Sequence, residues 1–96
     1  MRSTFYVDLN MKTADNFENY GRFFIGNDPD FAYNLFDGLK GSEVIGEEDV
    51  LHIDLVEIQE GLPVNIRMIK CTLEELTANC RIISKEIFKL LNLEKT

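Results

Sequence analysis

A chain of 96 residues, 45% of them apolar, is long enough for one domain with a core of its own, spanning residues 1–96. Its net charge of −7 repels phosphate backbones and anionic lipid, which argues against nucleic-acid and membrane partners. No run approaches the ~20 apolar residues of a membrane span. Asp8 and Asn10 interrupt any signal-peptide core, and the two cysteines fit reduced thiols, so the expected compartment is the cytoplasm.

Phe5, Val7, Leu9 and Met11 alternate with Tyr6, Asp8, Asn10 and Lys12, the period of a half-buried strand. Thr13-Ala14-Asp15-Asn16 reads as a turn, and a second strand follows over about Phe17–Ile25, giving an antiparallel hairpin. Asp28-Pro29 then supplies a cap and a first helical residue. Phe31, Leu35 and Leu39 recur at helical spacing, with Gly38 weakening the last turn and Gly41 placed to end the helix.

Ser42–Asp49 is a polar connection, and its acidic run Glu47-Glu48-Asp49 is a solvated loop rather than a metal site. Leu51, Ile53 and Leu55 alternate, but Val56 and Ile58 shift the phase, which predicts a β-bulge near Leu55-Val56. Glu60-Gly61 makes a turn into a strand carrying Val64, Ile66 and Met68. Thr72-Leu73-Glu74-Glu75 matches a capping box. Leu73, Leu76, Cys80, Ile83, Ile87 and Leu90 then predict a helix to about Leu91, with Arg81, Lys85 and Lys89 as a basic row.

Two ββα units thus follow in tandem, about 3–41 and 49–93, with Asp8 aligned to Asp54 at an offset of 46 and Arg22 to Arg67 at 45. They predict an α+β fold: a four-stranded antiparallel sheet with both helices on one face. The opposite face is expected to present Tyr6, Asp8, Asn10, Tyr20, Arg22, Phe24, His52, Asp54, Asn65 and Arg67 to solvent. Matching Asp and Arg positions predict two cross-strand ion pairs, and aromatics beside arginines suit an interface.

No phosphate loop, zinc motif or nucleophile constellation is present, so no cofactor, metal or catalytic residue is expected. His52 with Asp54 on one face is a pattern common by chance. The first expectation is a binding or assembly module that self-associates through this sheet face or the C-terminal helix. The alternative is a small-molecule site, enzymatic or not, around His52, Asp54 and Arg67; a protein partner for the acidic surface is a third.

Overall fold

The computed structural model describes residues 3–95. Strand β1 (Thr4–Lys12) buries Phe5, Val7 and Leu9 on one face. Thr13 closes the turn after it: its N–H and hydroxyl both donate to the Asn16 carbonyl, at 2.6 and 2.8 Å. Strand β2 (Phe17–Gly26) returns antiparallel. Helix α1 (Pro29–Asp37) starts where its cap predicts, with Asp28 accepting the Asp30 N–H at 3.0 Å. Such a cap is worth about 1 kcal/mol.

The end of α1 departs from expectation. Gly38 is the C-cap, and Gly41 serves a close approach instead. Its φ is +152°, and a Cβ there would collide with the Lys70 carbonyl oxygen. Ser42 can therefore exchange two backbone bonds with Lys70, at 2.8 and 3.0 Å.

Strands β3 (Leu51–Gln59) and β4 (Leu62–Lys70) form the second hairpin. Glu60 (φ 51°) and Gly61 (φ 81°) both take the left-handed region, as a type I′ turn requires. Pro63 lies on β4, an edge strand, where a missing N–H is tolerated. Helix α2 (Leu73–Lys95) opens on the predicted capping box: Thr72 Oγ1 accepts the Glu75 N–H at 3.1 Å, and Glu75 Oε1 accepts the Thr72 N–H at 2.9 Å. With 23 residues against 9 in α1, α2 makes the two halves alike in element order but not in dimensions.

The four strands form one antiparallel sheet in the order β2-β1-β3-β4. Phe5, Val7, Leu9, Ile53, Leu55 and Ile69 of the sheet cluster with Ala32, Leu35 and Phe36 of α1 and Ile83 of α2. Both helices therefore pack on the same face, and the fold is α+β.

The predicted bulge exists on the neighbouring strand. β3 pairs with β1 without interruption from Leu51 to Ile58. The irregularity is in β4, where pairing steps from Leu55↔Arg67 to Val56↔Asn65 and leaves Ile66 extra. β3 keeps its alternation; Val56 is apolar because an inner strand is covered on both faces, and it is buried. β2 carries two more irregularities: pairing steps from Leu9↔Gly21 to Asn10↔Asn19, leaving Tyr20 extra, and from Tyr6↔Phe24 to Phe5↔Gly26, leaving Ile25 extra.

Candidate functional site on the sheet face opposite the helices

The extra residues Tyr20 and Ile66 decide which side chains share the face. Tyr6, Asp8, Arg22, Phe24, His52 and Asp54 come together there as expected. Arg67 and Tyr20 do not, and this corrects the sequence reading. The extra residue in β4 turns Arg67 to the helix side, where it lies 5.0 Å from the Phe36 ring centroid and pairs with Asp37 and with Glu43 at 2.6 Å. Tyr20 likewise sits within electrostatic reach of Cys71 and Cys80, and partial burial raises its phenol pKa. In its place Asn19 reaches the opposite face and donates to Asn10 Oδ1 at 3.0 Å.

Nor is the face uniformly open. Asp8, His52 and Asp54 are 7%, 4% and 5% exposed, since the two inner strands are flanked by the side chains of β2 and β4. Phe17 and Phe24 on β2 remain exposed. Tyr6 stacks on Phe24 at 5.6 Å between ring centroids.

β1 and β3 set Asp8 directly opposite Asp54, and Asn10 opposite His52. Two like charges so placed repel unless compensated. Asp8 is compensated. Arg22, its partner in the β1–β2 register, holds it with Nε–Oδ1 at 2.7 Å and Nη2–Oδ2 at 2.9 Å, and this bonding raises the Arg22 pKa. Asp54 has only amides. Asn10 Nδ2 donates to its Oδ2 at 2.9 Å and Asn65 Nδ2 approaches the same oxygen at 3.4 Å, while the buried Oδ1 has no protein partner. Burial pushes the Asp54 carboxyl up; His52 and the Asn10 bond oppose this, and the Asp8 charge adds to it.

His52 makes one hydrogen bond, from Nε2 to the Asp49 carbonyl at 3.0 Å. A carbonyl only accepts, so Nε2 carries the proton, and in the neutral ring Nδ1 is then an acceptor. That atom is also buried without a protein partner. The Phe17 ring stands 5.0 Å from the imidazole.

Beside these groups lies a cavity of about 370 Å³, lined by Asn10, Phe17, Asn19, His52, Asp54, Asn65 and Met68. Asp54 Oδ1 and, in the neutral imidazole, His52 Nδ1 are acceptors without a protein partner, which suits a ligand that donates hydrogen bonds. Among the described residues no group of three or more His, Cys, Asp or Glu is placed to hold a metal. Cys71 and Cys80 lie elsewhere, and burial pushes Cys71 up to about 11, the opposite of an activated thiol. Among the described residues no helix is long and apolar enough to cross a membrane.

Phe17, Asn19 and Met68 escape the sequence reading. Asn19 joins the site only through the β2 bulge at Tyr20, and Met68 only through the one in β4, which sets it opposite Asp54 in place of an arginine. Compared with protein-family models, with curated proteins and with solved structures, the chain matches none.

Proposed function

We propose that this chain is a small-ligand-binding domain whose site is the cavity around His52 and Asp54. One observation carries the reading: His52 and Asp54, residues only 4% and 5% exposed, line a cavity, and each keeps a buried, unpartnered polar atom. An unpaired buried polar atom costs about 1–3 kcal/mol, and a ligand that pairs it recovers that cost on binding. The volume is at the lower end of the range for small-molecule pockets, roughly 300–1,000 Å³. A fragment screen followed by amide chemical shifts tests this. Bound fragments should perturb Asn10, His52, Asp54 and Asn65, and His52→Ala with Asp54→Ala should erase the response. A screen in which no fragment moves those amides defeats the reading.

A second reading, self-association, draws on a different observation. Leu73, Phe88 and Leu91 are exposed on α2 at spacings that align them along one side of the helix. Sedimentation across a concentration series tests it, and a constant monomer mass counts against it.

A further inference from the structure

Resting on that reading of the cavity, we propose that the site takes the amidinium or guanidinium group of a small organic cation, with Asp54 as its anchor. The same face already binds one guanidinium. At Asp8, Arg22 lies bidentate on the carboxylate and 4.8 Å from the Tyr6 ring centroid. Asp54 lies directly across the strands and has no such cation. Its Oδ1 has no protein donor, and no Lys or Arg pairs with it among the described residues. An aromatic ring, Phe17, flanks it across His52.

The reason Asp54 lacks an in-chain cation is visible in the register. The extra residue in β4 sends Arg67 to the helix side and leaves Met68 opposite Asp54. A cationic N–H donor supplies both the charge and the hydrogen bond that Asp54 Oδ1 lacks. An anion would meet the Asp54 charge, and a ligand with only acceptors would leave Asp54 Oδ1 and His52 Nδ1 unpaired. Both acceptors are shielded from solvent in the free chain, so binding requires side chains that line the cavity to shift. The net charge of −7 adds a long-range attraction for cations.

Three probes of one shape decide the class: benzamidine, benzamide and benzoate, each titrated into the full chain and followed by amide shifts. Benzamidine should bind saturably at the cavity, and Asp54→Asn should weaken it by at least about tenfold. Met68→Arg offers Asp54 an internal cation, as Arg22 does for Asp8, and should abolish benzamidine binding while the chain stays folded. Benzamide or benzoate binding as tightly as benzamidine would overturn the cation assignment yet leave a ligand cavity. Benzamidine binding that Met68→Arg leaves unchanged would place the cation elsewhere on the acidic surface and overturn it too. If none of the three binds saturably, the cation assignment falls, and the fragment screen decides separately whether the cavity binds anything.

Discussion

Asn79 is fully buried in the second turn of α2, and its side-chain amide ties that helix to Lys40 in the segment that follows α1. Its Oδ1 accepts the Lys40 N–H at 2.7 Å, and its Nδ2 donates to the Lys40 carbonyl at 2.8 Å. One side chain thus satisfies both backbone groups of Lys40, three residues past the end of α1. In Asn79→Ala both bonds go, at a net loss of about 0.5–1.5 kcal/mol each. The two Lys40 groups are also left without partners, at about 1–3 kcal/mol each where water cannot reach them. Lys40 is an exposed residue, so water recovers part of that second cost. The expected destabilisation is about 2–3 kcal/mol, which lowers Tm by roughly 10–20 °C for a chain of this size. Urea unfolding measures it, with an unchanged slope showing that the same surface unfolds. With its carboxyl neutral, Asn79→Asp keeps an acceptor and one O–H donor but not the amide geometry, and at a pH low enough to hold that form it should fall between wild type and Asn79→Ala. A loss below about 0.5 kcal/mol in Asn79→Ala would refute the reasoning, because the tie would then be no better than solvent.

Asp54 gives a pH signature. Burial raises its carboxyl above the unfolded value, so folding is favoured as pH falls through the folded pKa toward about 4, and that help is lost as pH rises. Wild type should therefore gain stability relative to Asp54→Asn on acidification, and parallel urea-stability profiles for the two would contradict this. In the β3–β4 turn, Glu60 is a non-glycine residue at φ 51°, and Glu60→Asn should add about 0.5–1 kcal/mol by thermal unfolding; no gain would mean the turn relaxes at no cost. Cys71, its thiol pushed up to about 11 from an ordinary 9.0 chiefly by burial, should alkylate at least about tenfold more slowly than an unperturbed cysteine near neutral pH. Mass spectrometry after iodoacetamide measures that rate, and labelling as fast as in the urea-unfolded chain would be the contrary result.

The elements were legible because their signals are local. Alternation in β1, the Asp28-Pro29 start of α1 and the reciprocal Thr72/Glu75 cap each depend on neighbours a few residues apart. Side-chain facing was less legible, because one extra residue reverses it and the extra residues have no mark in the sequence. Tyr20 and Ile66 look like ordinary strand residues, yet they decide that Asn19 enters the site and Arg67 leaves it. The phase change at Val56 was a true irregularity in the pattern, caused by two-sided burial of an inner strand. Asn79 carried a signal that apolar periodicity overlooks. It sits between Leu76 and Ile83 on the buried stripe, where a polar residue persists only with partners.

The strand order also shapes how the chain reaches this structure. The two inner strands come from opposite halves, and the pairs from Met11↔Leu51 to Thr4↔Ile58 join residues at least 40 apart. Each hairpin closes locally and early, but neither hides the inward edge of its own central strand. The sheet is complete only when those two edges zip together, a non-local step that loop-closure entropy slows. Until then each half displays an unpaired strand edge that the matching half of another molecule fits equally well. The 42–49 connection is then the hinge about which two chains would trade halves at high concentration, reproducing the same sheet, and the same Asp8–Asp54 pair, from two polypeptides.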